Sequence, residues 1–64
     1  MVKHMCESNL YSEGGDLLME DVIFIEVLED GIRATDILDS QKEFPGKLTR
    51  IDLDKHRIYI ETED

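Results

Sequence analysis

Three side chains in this sequence could bind a soft metal or act as a nucleophile or its base: the single thiol of Cys6 and the imidazoles of His4 and His56. A catalytic thiol needs a base within hydrogen-bond reach and a third group to orient that base. His4 and His56 lie at opposite ends of the chain, and nothing in their spacing from Cys6 sets up such a dyad. A closed zinc site needs four ligands, and one Cys with two His reproduces no zinc spacing. Another kind of metal fits better. A cysteine at position two of a chain offers its thiolate, its own amide nitrogen and the preceding amine within a few bonds. That donor set suits tetragonal ions such as Ni(II) or Cu(II). A two-fold axis near Cys6 would bring two thiolates together. Against this stands the plainer reading, which chemistry alone favours: a lone thiol is a small, inert hydrophobe in a strand.

Where the chain starts decides which reading applies. Met1-Val2-Lys3-His4-Met5 contains two starting methionines, and His-Met is a common cloning scar. Residues 1–4 are therefore read as an N-terminal extension or scar. On a Met5 start, Cys6 is the second residue. With residues 1–4 present the amine is displaced, and His4 could take metal in its place. The acidic pairs Glu20-Asp21 and Glu29-Asp30 read as turns and solvated surface. An acid/base site would need a pocket, for which so small a barrel has little room beside its core.

Composition limits what can position these groups. A 64-residue chain is one domain at most, and chains below roughly 70–80 residues often supplement a thin core with disulfides, a metal or a partner subunit. One cysteine excludes an internal disulfide, which leaves metal, oligomerisation or unusually good packing. Seven basic residues against sixteen acidic ones give a net charge of −9. That charge argues against nucleic acid, whose binding is driven by Lys and Arg releasing counterions. It favours cations or a basic surface on a partner, although excess acid also serves plain solubility. The longest apolar run is Val22-Ile23-Phe24-Ile25, against about 20 residues for a membrane span. No signal-type h-region is visible, and an unpaired thiol points to the reducing cytoplasm.

Read in order, the chain is a series of strands and turns. Cys6–Tyr11 and Leu17–Met19 flank Gly14-Gly15 as a first hairpin. Val22–Leu28 is the strongest strand signal, β-branched and aromatic with apolar side chains on both faces. Such a strand is buried on both sides or covered by a second subunit. Phe24 and Leu28, on its second face, are thus candidate interface residues, as is Tyr59. Asp30-Gly31 marks a second hairpin, with Ile32–Ile37 as the return strand. Gln41–Phe44 is a short strand ended by Pro45. Lys47–Leu53 and Arg57–Glu61 form the last hairpin, with Ile58 and Ile60 on one face and Arg57, Tyr59 and Glu61 on the other. The expected fold is all-β, a small SH3-like β-barrel of about six to seven short strands. Residues 5–61 form the domain and 62–64 a frayed acidic tail. The expected core is Leu10, Leu18, Val22, Ile23, Ile25, Val27, Ile32, Ala34, Ile37, Phe44, Leu48, Ile51, Ile58 and Ile60.

The sequence also resembles the CooT family of small nickel-binding proteins, some of whose members carry the description of predicted RNA-binding proteins. The likeness starts with the opening pair Met5-Cys6 and continues with Met19-Glu20-Asp21-Val22 at the head of the long strand. Further on it includes Asp30-Gly31-Ile32, Thr35-Asp36-Ile37, Phe44-Pro45-Gly46 and Ile51-Asp52-Leu53 ahead of His56-Arg57-Ile58. No single piece is specific; their order and spacing in so short a chain are. The resemblance implies a homodimeric, non-enzymatic β-barrel that binds one Ni(II) per dimer and serves maturation of a nickel enzyme such as carbon monoxide dehydrogenase. It implies Cys6 as thiolate ligand and Met5 as the source of a terminal amine or backbone nitrogen. The alternative from a different class is a small β-barrel interaction module that binds RNA or a protein partner without metal. For His56 the turn reading outweighs a ligand role.

Overall fold

Twelve-residue strands in so short a chain must bend if the sheet is to enclose a core, and the sequence supplies a bend in each. A computed structural model describes residues 7–62. β1 covers Ser8–Ser12, β2 Leu17–Leu28, β3 Gly31–Asp36, β4 Gln41–Asp52 and β5 Arg57–Thr62. The strands close into a barrel in sequence order, with β1 returning to pair with β5 in parallel and every other pair antiparallel. Among the described residues no helix is long and apolar enough to cross a membrane.

β2 and β4 each serve two neighbours. The first half of β2 pairs with β1, from Tyr11↔Leu17 to Ser8↔Val22, and the second half pairs with β3 from Val22↔Asp36 to Leu28↔Gly31. Residues Gln41–Pro45 of β4 pair with β3, and Gly46–Asp52 pair with β5. The barrel is thus two small sheets joined where strands bend from one to the other, a corner device of orthogonal β packing.

The strand count differs from the expected six to seven: there are five. The two expected breaks are corners inside continuous strands. At the first, Asp21 takes a left-handed backbone with φ 57°, and the register slips between Val22 and Phe24, the mark of a β-bulge that bends the strand without ending it. At the second, Pro45 needs no ladder donor and Gly46 takes φ 145°, where a Cβ would strike the Glu61 carbonyl. A proline–glycine pair that reads as a stop in sequence is here the tightest part of a strand. Thr62, expected in the tail, ends β5 opposite Gly46. Met5 and Cys6, residues 1–4 and Glu63-Asp64 lie outside the described residues.

The core is small. Leu10, Met19, Val22, Ile32, Ala34 and Ile60 are buried, with Leu18, Ile25, Phe44, Leu48 and Ile58 packed partly against them. Four residues expected inside are exposed: Ile23, Val27, Ile37 and Ile51. Ile23 sits in the bulge, where alternation is lost. Val27 lies one residue before the end of β2, and Ile37 begins the β3–β4 turn. Ile51 pairs with Ile58 near the end of β4. Met19, not expected in the core, fills it beside Leu10, a use suited to an unbranched, adaptable side chain.

Candidate functional site

The chain enters the barrel at the Asp21 corner, and the hydrogen bonds there define what surrounds that entrance. Ser8 pairs with Val22. The Asn9 amide donates to the His56 carbonyl at 3.0 Å, and the Asp21 amide donates to Asn9 Oδ1 at 3.2 Å. The Ile37 amide closes the row by donating to the Asp21 carbonyl at 2.9 Å. A left-handed aspartate is tolerable because short polar side chains visit this region more readily than branched ones. β1, β2, β3 and the β4–β5 turn are therefore tied together within a few residues of the Met5-Cys6 pair in sequence.

This corner is apolar where it should be wet. Ile23 is 53% exposed, Phe24 55%, Ile37 48% and Leu38 81%; the first two follow Asp21 within three residues, Ile37 is bonded to the Asp21 carbonyl, and Leu38 comes next after it. Asp36 holds the turn that presents Leu38, its Oδ1 accepting from the Leu38 and Ser40 amides at 2.9 Å each. Exposed apolar groups close together are the kind of surface on which partners dock. Phe24, expected at an interface, is among them. Leu28 is half-buried and lines a different feature, a cleft of about 360 Å³ with Asp30, Gly31, Ile32, Glu43, Phe44 and Pro45.

Among the described residues no three His, Cys, Asp or Glu side chains converge to hold a metal. Met5 and Cys6 lie outside those residues. His56 is exposed at the end of the β4–β5 turn with φ 56°, as a turn residue should be, and its backbone meets β1. Glu20-Asp21 and Glu29-Asp30 occupy exposed strand-corner and hairpin positions.

A second cluster was not legible as one. Parallel pairing of β1 with β5 puts Tyr11 opposite Tyr59, and their rings stack at 5.7 Å between centroids. The Arg50 guanidinium lies 4.0 Å from the Tyr59 ring centroid and that of Arg57 lies 5.5 Å from the Tyr11 centroid. Both tyrosines are half-buried, while both arginines are exposed. Arg33 is the contrasting case. It is clamped between Glu43 and Glu26 at 3.0 Å each, and its pKa is raised, chiefly by the Glu43 hydrogen bond and then by Glu26. The available sequence signal was that Lys47, Arg50, Lys55 and Arg57 crowd four of the seven basic residues into one short stretch.

The class the fold defines is a small closed five-stranded β-barrel, with an exposed apolar corner where the chain enters. Comparison with known proteins makes the assignment particular. The family model for the CO dehydrogenase accessory protein CooT matches residues 5–61. The uncharacterized protein MJ1551 of Methanocaldococcus jannaschii is 44% identical over 57 residues, spanning 89% of this chain and 98% of its own. A crystal structure assigned to CooT from Carboxydothermus hydrogenoformans superimposes with a TM-score of 0.81 at 29% identity, over 92% of this chain and all of that one. The chain belongs to the CooT family.

Proposed function

We propose that this protein is a nickel-binding homodimer of the cytoplasm that carries or stores Ni(II) as cargo for maturation of carbon monoxide dehydrogenase or a similar nickel enzyme. The observation that carries the reading is the family match, which begins at Met5 and makes Cys6 its second matched residue. Cys6 supplies the thiolate and Met5 the amine or a backbone nitrogen, a donor set that suits a tetragonal Ni(II). The role is delivery, without catalysis of its own. Two features support it. The net charge of −9 draws divalent cations toward the molecule. The exposed Ile23, Phe24, Ile37 and Leu38 lie at the corner where the chain enters, so a second copy covering them would bring two N-terminal segments together.

The test is a nickel titration of protein beginning at Met5, following the thiolate-to-metal absorption band together with sedimentation. The expected result is about one Ni(II) per dimer, as for a site on a two-fold axis, abolished by Cys6→Ser. Undiminished binding in that variant rejects the assignment.

A further inference from the structure

The outer face of the β1–β5–β4 sheet has a feature that metal carriage does not use. In a chain with sixteen acidic residues, Arg50 and Arg57 have no carboxylate within ion-pair distance among the described residues, whereas Arg33 has two. Asp52 is the register partner of Arg57, yet its Oδ1 accepts the Lys55 amide at 3.1 Å and holds the β4–β5 turn. Both guanidiniums instead lie over the stacked Tyr59 and Tyr11 rings. The rings attract the cations through their quadrupoles; Arg57 is also held by the Tyr59 hydroxyl, which raises its pKa, and neither guanidinium has an ion-pair partner among the described residues.

We propose that this face docks a partner protein through a segment bearing two carboxylates. Tyrosine and arginine are the residue types that carry most interface energy. Guanidiniums already held on aromatic rings lose little freedom when a carboxylate binds them, and the resulting bonds are charge-assisted and bidentate. The overall charge of −9 does not forbid this, because exposed charges beyond about 8–10 Å are screened at physiological salt. It does disfavour a long polyanion. An RNA strand would have to neutralise many phosphates, and Asp52, Asp54 and Glu61 flank the two arginines in sequence. A carboxylate pair on a nearly neutral partner surface satisfies the local cations without that repulsion. The inference stands independently of the nickel reading.

Metal-free, isotope-labelled full-length protein would be titrated by NMR with the peptide acetyl-Gly-Glu-Leu-Glu-Gly-amide, with its Gln-for-Glu counterpart, and with oligouridylate. The expected result is a set of shift changes centred on Tyr11, Arg50, Arg57 and Tyr59 with the Glu peptide. Roughly tenfold or greater weakening is expected in Arg50→Gln/Arg57→Gln, the loss of charge-assisted contacts. Spectra of that variant must otherwise overlay the parent; if they do not, Arg50→Lys, which keeps charge but not the fork, provides the comparison. Four outcomes overturn the proposal: no response to the Glu peptide, equal response to the Gln peptide, tighter binding of oligouridylate at this face, or dissociation of a dimer by the double substitution.

Discussion

At the β2 corner an aspartate holds a left-handed backbone, its amide bonded to Asn9 Oδ1. At the β4 corner a glycine holds φ 145° with the Glu61 carbonyl pressed against the space where a Cβ would stand. The first corner has room beside it and exposes Ile23, Phe24, Ile37 and Leu38 to solvent. The second is closed by backbone on backbone, and the cleft that adjoins it is walled by Leu28, Ile32 and Phe44 with two carboxylates. The contrast separates two duties. The β4 corner secures barrel closure, whereas the β2 corner leaves exposed the apolar side chains that the proposed dimer would cover.

Substitutions at the two corners should differ sharply. Gly46→Ala combines a disfavoured backbone region with a collision against a carbonyl, and should cost about 3 kcal/mol or more. Thermal denaturation measures this, and a melting temperature within a few degrees of the parent would show that β4 relaxes freely. Phe24→Glu should leave the barrel folded, because the side chain is already exposed, but should convert the proposed dimer to monomer in sedimentation. An unchanged mass would place the self-association surface elsewhere. Asp21→Gly should change stability by less than about 1 kcal/mol, since relief of the left-handed backbone offsets the entropy of glycine. A loss as large as that of Gly46→Ala would mean that the Asp21 carboxylate has a structural role of its own.

Much of the barrel was legible because its signals are local. The Asp30-Gly31 hairpin, the apolar run Val22–Ile25 and the alternation of Arg57–Glu61 are all encoded within a few residues. Even there the reason differs from the expectation: Gly31 is not at a left-handed turn position but in β3, where a side chain would meet the Phe44 carbonyl. The two corners read as breaks because Pro-Gly and Glu-Asp carry the same local chemistry in a bend as in a turn. Ile23 reads as core because a period of two runs straight through the β2 corner and cannot register the bulge in which Ile23 sits. The Tyr–Arg cluster was invisible for another reason. It exists only because strands from the two ends of the chain lie side by side, and no spacing rule reaches that far. For Met5-Cys6 the donor chemistry permits a metal site, and only the family resemblance favours it.

The parallel pairing of Asn9–Ser12 with Arg57–Ile60 also orders events in time. The strand nearest the candidate nickel ligands in sequence has its barrel-closing partner in β5, the last of the described strands. Contacts between such distant segments form late and slowly, and chains emerge from the ribosome N-terminus first. β1 can therefore pair with β2 early, but its seam with β5 closes only after β5 has been made.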